Sequence, residues 1–133
     1  MDTHFAVRTA LTGHQVISTL HAGSCRGVFE RLFVMVPDRS AVLAATALVL
    51  NQRLLRRVCA MCGGAGCDAC LRTGFRGRTP IAEYVKLTET LREEVAARGP
   101  SAILPVGNDL RERALAFAEQ KLTLPTEIQR VLG

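Results

Sequence analysis

Residues 58–78 read VCAMCGGAGCDACLRTGFRGR and contain four of the five cysteines of this 133-residue chain. These cysteines form two C-x-x-C pairs with four residues between the pairs, namely Cys59, Cys62, Cys67 and Cys70. Two such turns can present four thiolates at the corners of a tetrahedron, an arrangement that Zn²⁺ binds well. We expect the link between the pairs to need positive φ values, which glycine adopts at low cost, at Gly63, Gly64 and Gly66.

The paired cysteines therefore predict a zinc site. The alternatives are disulfides, or thiols that only pack in the interior. The short link leaves open whether one chain supplies all four ligands or two chains share them. The fifth cysteine, Cys25, lies on an apolar helical pattern and is predicted to be a small core residue.

The composition is that of one folded domain with a hydrophobic core, since 48% of the residues are hydrophobic. The longest apolar run, residues 41–50, is too short to span a bilayer, and the N-terminus lacks the pattern of a signal peptide. We therefore expect a cytoplasmic protein with no membrane span. Its thiols would be kept reduced there, which favours zinc over disulfides.

The formal net charge is +5, and many of the basic residues surround the cysteines. A solvated surface or an anionic partner, either a phosphate or a membrane headgroup, would each explain such clustering. Aromatic residues make up only 5% of the chain, so base stacking is poorly supported and no nucleic-acid partner is predicted. The clustered residues are Arg53, Arg56, Arg57, Arg72, Arg76 and Arg78.

The first third of the chain predicts a short helix over residues 3–11 that ends at Gly13, followed by a strand over residues 15–20. The strand is apolar and β-branched and is expected to be buried on both faces. Without neighbouring strands it would expose unpaired amides, so we expect the chain to be oligomeric, poorly soluble or completed by another polypeptide. His14 and His21 lie at its two ends, where a structural role is the simpler interpretation.

The next segment predicts two helices and one ambiguous stretch. Apolar residues with a helical period predict an amphipathic helix that Pro37 ends. A second helix over residues 41–50 is expected to be buried on nearly every side, with a cap at Asp38 or Ser40. Residues 52–58 can continue that helix or form a strand. The periodic residues of the first helix are Val28, Phe29, Leu32, Phe33 and Val36.

The last third predicts a strand and three helices. The strand covers residues 80–87, with Ile81, Tyr84 and Val85 as its apolar members. Thr88 is expected to cap a helix that ends at residues 99–100. A capping box of Asp109 and Glu112 is expected to open a helix that continues to about Lys121, and Thr123 to cap a final short helix.

The order of these motifs resembles the C-terminal part of the ATPases that power type II secretion and type IV pilus assembly. The resemblance is carried by TALTGHQVISTLHAG (residues 9–23), NQRLLRRVC (51–59), the cysteine pairs and RTGFRGRTPIAEYV (72–85). It implies an α/β fold, the C-terminal half of a RecA-like P-loop NTPase domain with a tetracysteine zinc loop and a small C-terminal helical subdomain. The implied divisions are a partial ATPase core (1–58), the zinc element (59–78) and a C-terminal strand with the helical subdomain (79–133).

The resemblance also assigns residues to roles. His14 and His21 match the family's histidine box, with His21 the better candidate for lying near the terminal phosphate. The zinc ligands would be Cys59, Cys62, Cys67 and Cys70. Ala60 stands where the family usually has proline, and the loop between the cysteine pairs is shorter than in many members. A threonine-glycine-aromatic-x-glycine-arginine element is matched by Thr73, Gly74, Phe75, Gly77 and Arg78.

The sequence contains no G-x-x-x-x-G-K-[ST] phosphate loop and no strand that ends in a Mg²⁺-binding acidic group, and Asp2-Thr3 resembles the position just past that group. We therefore expect a segment of a hexameric ATPase that is inactive alone, with ATP and Mg²⁺ bound only in the complete enzyme. The implied location is the cytoplasmic face of the inner membrane, and the implied partners are further ATPase chains and platform proteins of the secretion or pilus machinery.

One alternative is a zinc-stabilised interaction module that docks on a complete secretion ATPase and has no catalytic role. A chaperone-type cysteine-rich module would explain the cysteines but none of the flanking strands.

Overall fold

The computed structural model describes residues 2–104 and 109–133. The chain divides into two compact units, Met1–Asn51 with Tyr84–Val106 and Gln52–Glu83 with Gly107–Gly133. The described residues form six α-helices, two β-strands and two short 3₁₀ turns. Each unit is described separately below.

The first unit contains four helices, each of which begins at a side-chain cap. Helices α1 (Thr3–Leu11), α2 (Cys25–Met35), α3 (Arg39–Ala45) and α4 (Glu89–Arg98) are capped by Asp2, Ser24, Asp38 and Thr88. Each cap accepts a hydrogen bond from a backbone N–H group that the helix itself leaves unpaired. The predictions of α1, α2 and α4 are confirmed, including the end of α2 before Pro37 and the end of α4 at Gly99.

The core of the first unit forms around the apolar face of α2. Cys25 and Phe29 are fully buried, which confirms Cys25 as a core residue. Burial of this apolar surface is the main stabilising contribution of the unit. The remaining buried residues of this core are Phe33, Val36, Val42, Leu43, Val49, Val85, Leu87, Val95, Ala102 and Ile103.

The predicted strand over residues 15–20 is wrong. Residues 14–22 form neither helix nor strand, and of residues 15–20 only Val16 and Leu20 are even partly buried. A strand requires a neighbour that satisfies its backbone N–H and C=O groups. In the part of the chain that the structure describes, the two strands present pair with each other and not with this segment. The β-branched residues of this segment therefore do not form a strand.

The predicted helix over residues 41–50 is wrong in its second half. Helix α3 ends at Ala45, and strand β1 (Leu48–Val58) begins three residues later. Val49 and Asn51 are buried whereas Leu48 and Leu50 are each 56% exposed, so burial alternates with the period of a strand. Residues 52–58, which the sequence left ambiguous between helix and strand, belong to the same strand. An all-apolar run has no periodicity that separates helix from strand, and pairing with a second strand decides between them.

Strand β1 pairs with β2 (Phe75–Lys86) in a two-stranded sheet. The pairing is antiparallel, because the Leu87 N–H donates to the Ala47 carbonyl at one end and the Cys59 N–H donates to the Gly74 carbonyl at the other, both at 2.9 Å. Of the three apolar residues that the sequence analysis named in this strand, Ile81 and Val85 are buried. Tyr84 is 46% exposed, because successive strand residues point to opposite faces.

The second unit has a smaller core beneath helices α5 (Leu110–Glu119) and α6 (Pro125–Leu132). Asp109 caps α5 as predicted by accepting from the N–H of Arg111 at 2.7 Å, but the predicted capping box with Glu112 is not found among the described residues, and α5 ends at Glu119 rather than near Lys121. The predicted cap at Thr123 is wrong. Leu124 precedes α6, and the buried Thr123 hydroxyl instead donates to the Arg56 carbonyl at 2.9 Å. The buried core residues are Leu55, Ile81, Leu110, Ala114 and Ile128.

Glu127 on α6 is a carboxylate buried in this unit, with 1% of its surface exposed. Arg130 donates to it from Nε and Nη2 at 2.8 and 2.7 Å. Arg56 of β1 donates from its backbone N–H, Nε and Nη2 at 3.0, 2.9 and 2.6 Å. These hydrogen bonds, first those of Arg130 and then those of Arg56, hold the pKa of Glu127 well below its usual value. The carboxylate thereby joins strand β1 to helix α6.

We expect Glu127→Gln to lower the free energy of unfolding at pH 7 by about 2 kcal/mol, less than for a fully buried pair because both arginines remain partly exposed. Because the folded-state pKa of Glu127 is depressed, its stabilisation is complete above the unfolded-state value near 4.5 and is lost as the pH falls below it. The stability difference between wild type and variant should therefore shrink in acid. Urea unfolding of both proteins at pH 7 and in acid measures this difference in the free energy of unfolding.

Glu119→Gln is the matched control, because Glu119 is exposed on α5. It should leave the free energy of unfolding unchanged at both pH values. A Glu127→Gln protein as stable as the Glu119→Gln protein at pH 7 would contradict the assigned role of the buried carboxylate.

Candidate metal centre

The four cysteines of the two C-x-x-C pairs converge in the second unit. Their Sγ atoms all lie within 4.8 Å of one another. The distances from Cys59 to Cys67, Cys62 to Cys70 and Cys67 to Cys70 are 3.9, 3.8 and 3.8 Å. Tetrahedral Zn²⁺ with Zn–S bonds of about 2.3 Å holds its sulfur ligands roughly 3.8 Å apart. The four thiols are free of disulfides, so the structure favours the metal-site interpretation.

The backbone of both turns directs N–H groups at the cluster. In the first turn, the Gly66 N–H donates to the Cys62 Sγ at 3.3 Å, while the Gly63 N–H closes the turn by donating to the Cys59 carbonyl at 2.8 Å. In the second, the Cys70 Sγ accepts from the N–H groups of Cys67 and Gly74, both at 3.2 Å. Hydrogen bonds of this kind stabilise the charged form of a thiol and fix its direction.

The thiols of Cys70 and Cys67 have oppositely shifted pKa values. The N–H of Cys67, and then that of Gly74, lower the pKa of the Cys70 thiol. Burial raises the pKa of the Cys67 thiol. A cluster of four thiols cannot all ionise without a cation, because like charges this close oppose one another. Metal binding supplies that cation and releases the thiol protons.

The donor set and the spacing fit a structural zinc ion held by Cys59, Cys62, Cys67 and Cys70. Four sulfur ligands complete a tetrahedral shell and leave no position for a substrate, so the chemistry that zinc would supply here is stability. Cys59 and Cys70 are buried and the other two are partly exposed. One chain brings all four ligands together.

The turns depend on glycine, as the sequence predicts. Gly63, Gly64 and Gly66 have φ values of 59°, 97° and 93°. A further requirement lies at Gly74, where φ is 77° and a Cβ atom would approach the Gly64 carbonyl oxygen to 2.4 Å. Sequence reasoning missed this contact, because it joins two turns that are ten residues apart.

The two histidines of the predicted histidine box are both exposed. Nδ1 of His14 lies 3.1 Å from the Thr12 hydroxyl, and the His21 carbonyl accepts from Arg31 at 3.0 Å. The described contacts thus hold the backbone of His21 and leave its ring exposed. Their catalytic assignment stays a prediction.

The threonine-glycine-aromatic-x-glycine-arginine element forms one side of a shallow cleft of about 220 Å³. We call it the arginine cleft. The Arg56 guanidinium lies over the Phe75 ring, 4.3 Å from its centroid. Thr73 forms the turn that leads into β2, because its hydroxyl donates to the Cys70 carbonyl at 2.6 Å. The cleft is lined by Arg56, Thr73, Phe75, Gly77 and Arg78.

Glu127 is the residue of this unit that sequence reasoning missed. Its spacing of three from Arg130 on one helix indicates an ion pair, but an exposed one. Its second partner, Arg56, is 71 residues away in the chain. Only the packing of α6 against β1 reveals that the carboxylate is buried.

The comparisons with known proteins agree on one family. A sequence model of the Type II/IV secretion system protein family matches residues 2–130. The chain is 30% identical to the type IV pilus assembly ATPase PilB of Pseudomonas aeruginosa, over 95% of this chain and 28% of that protein. It is 33% identical to the type II secretion system protein E of Aeromonas hydrophila, over 74% of this chain and 25% of that protein. The chain thus corresponds to roughly a quarter of the length of these relatives.

The fold has a solved counterpart. The structure of the Legionella pneumophila ATPase DotB matches 96% of this chain and 34% of that protein, with a TM-score of 0.72 at 22% sequence identity. This supports an α/β secretion-ATPase fold. In residues 2–104 and 109–133, every helix is too short or too polar to cross a bilayer.

We expect the purified chain to contain one zinc ion, and Cys67→Ser to lose it together with several kcal/mol of stability, because structural zinc contributes directly to folding free energy. Elemental analysis after purification without chelator, followed by thermal unfolding, measures both. Cys25→Ala should retain the ion, since Cys25 is not part of the cluster. Less than half an equivalent of zinc in the wild-type chain, with reactive thiols, would overturn the assignment.

We also expect Gly74→Ala to lower the free energy of unfolding by about 3 kcal/mol. The new methyl group would clash with the Gly64 carbonyl, and alanine is unfavourable at the positive φ of this position. Gly77→Ala is the control. Gly77 has a φ of 80° but open space around its Cα atom, so the backbone strain alone should cost about 1 kcal/mol. Equal losses in the two variants would show that the contact with Gly64 contributes nothing.

Proposed function

Because the chain belongs to the Type II/IV secretion system protein family, we propose that it acts as the C-terminal segment of a hexameric ATPase that couples ATP binding and hydrolysis to protein export or pilus extension. The observation that carries this proposal is the match of the family over residues 2–130. The names of the relatives, a pilus assembly ATPase and a type II secretion protein, support it. The activity belongs to the complete enzyme, of which such a segment is one part.

Within that enzyme, residues 1–58 would complete a RecA-like core, 59–78 would form the zinc element, and 79–133 the C-terminal strand and helical subdomain. The 133 residues contain no G-x-x-x-x-G-K-[ST] loop. Catalysis of phosphoryl transfer consists almost entirely of positioning and charge stabilisation, and in P-loop NTPases it depends on such a loop and bound Mg²⁺. The chain alone is therefore expected not to hydrolyse ATP.

The contribution of this segment to catalysis would come from the histidine box. The ring of His21 is exposed, while Arg31 holds its carbonyl. An imidazole in such a position can donate a hydrogen bond to the terminal phosphate that a neighbouring segment presents. His14, also exposed, would assist.

The zinc element would be structural. The zinc ion would join residues 59–70, the cysteine-bearing part of the connection between β1 and β2, and so fix how the two strands leave the loop. We place the assembly at the cytoplasmic face of the inner membrane, where it would act on platform proteins of the secretion or pilus machinery.

A second candidate function is a zinc-stabilised module that docks on a complete secretion ATPase without taking part in catalysis. It is favoured by a thiol cluster supplied by one chain, in a sequence without a phosphate loop. The two functions differ in whether a residue of this chain affects ATP hydrolysis.

We expect His21→Ala to lower ATP hydrolysis about 100-fold in the assembly recovered from source cells through an affinity tag on this chain, because a positioned proton donor to the phosphate is lost. His4→Ala is the control, since His4 is an exposed histidine of α1. It should leave the rate unchanged.

Two results would contradict the catalytic role. Hydrolysis that is unaffected by His21→Ala would favour the docking module. Hydrolysis of ATP by the purified chain alone would show that the site does not depend on another segment.

A further inference from the structure

The positive charge of the chain is concentrated in residues 52–83. This stretch carries six arginines against two carboxylates, a formal charge of +4 out of +5 for the whole chain. Among the described residues, Arg72 is paired with Asp68 and Arg56 with Glu127. Arg57, Arg76 and Arg78 are exposed and have no carboxylate partner in those residues. An excess of one sign in one stretch attracts ligands of the opposite sign.

The arginine cleft gives this charge a defined geometry. Glu127 binds Nε and Nη2 of Arg56, and the guanidinium plane lies over Phe75. The guanidinium is thus held in place before any ligand arrives. Its Nη1 has no hydrogen-bond partner in the described residues. Preorganisation of this kind reduces the side-chain entropy that the protein loses when a ligand binds.

Two further residues that line the cleft, Gly77 and Arg78, are exposed. Within the described residues the guanidinium of Arg78 has no carboxylate partner. Gly77 lies within strand β2 and has a φ of 80° with open space around its Cα atom. A glycine within a strand often marks a place where a ligand approaches the backbone closely. The volume of about 220 Å³ is enough to admit a tetrahedral oxyanion.

We propose that the arginine cleft binds a phosphoryl group between the guanidinium groups of Arg56 and Arg78. Two planar, permanently charged donors match the oxygens of a phosphate better than they match a single carboxylate. The phosphoryl group can belong to a free phosphate or nucleotide, or to an anionic phospholipid headgroup, because the chemistry that the cleft recognises is the same. This site consists of residues distinct from the histidine box and from the four thiols.

The test measures binding to the full chain with its metal, at constant ionic strength. The probes are inorganic phosphate, ADP, and phosphatidylcholine vesicles prepared with and without phosphatidylglycerol. Arg78→Gln should weaken binding by about tenfold, because a charge-assisted contact is lost. Arg76→Gln removes the same charge from an exposed position of β2 that does not line the cleft, and it should change affinity less than about twofold.

The probes separate the two sources. Binding of phosphate or ADP with this pattern indicates a free ligand, and binding only of vesicles that contain phosphatidylglycerol indicates a headgroup. Equal losses in Arg78→Gln and Arg76→Gln would show diffuse attraction and overturn the proposal, as would a wild-type chain that binds none of the probes. Backbone amide shifts of Gly77 and Arg78 in the wild-type chain locate the ligand without relying on a variant.

Discussion

Four sulfur atoms within 4.8 Å of one another place the strongest constraint on this chain. Four thiolates this close repel one another, so a bound cation would favour the ionised cluster. The backbone supports this geometry with N–H groups directed at Cys62 and Cys70. Gly74 allows the two turns to meet, because no side chain fits between it and the Gly64 carbonyl. The thiol cluster and the start of strand β2 therefore depend on each other.

A second constraint, the buried carboxylate of Glu127, determines the position of the arginine cleft. It joins β1 to α6 and also directs the Arg56 guanidinium over Phe75. A buried charge is tolerated only when its hydrogen bonds are complete, and five donor groups from two arginines meet that requirement here. The same contacts that stabilise the fold thus preorganise one side of a proposed binding site. The hydrogen bonds of Glu127 thus serve both the stability of the unit and the proposed binding site.

Several local elements could be predicted because their signals are local. The caps at Thr88 and Asp109, the stop at Pro37 and the apolar face of α2 each depend on residues within one or two helical turns. Errors arose where the decisive partner is distant. Residues 15–20 have strand composition but no paired strand in the described chain. Residues 48–50 belong to a strand because β2 pairs with β1, and Thr123 bonds to Arg56 rather than to the helix that follows it.

The sequence by itself identified four candidate metal ligands, Cys59, Cys62, Cys67 and Cys70, and the family, because cysteine spacing and motif order are properties of the linear chain. The tertiary structure alone decided that the four thiols converge to within 4.8 Å of one another, that Gly74 must lack a side chain, and that Glu127 is buried between Arg56 and Arg130. Each of these depends on groups brought together by packing. Desolvation and close contact are created only when the chain folds, so no pattern of neighbouring residues encodes them locally.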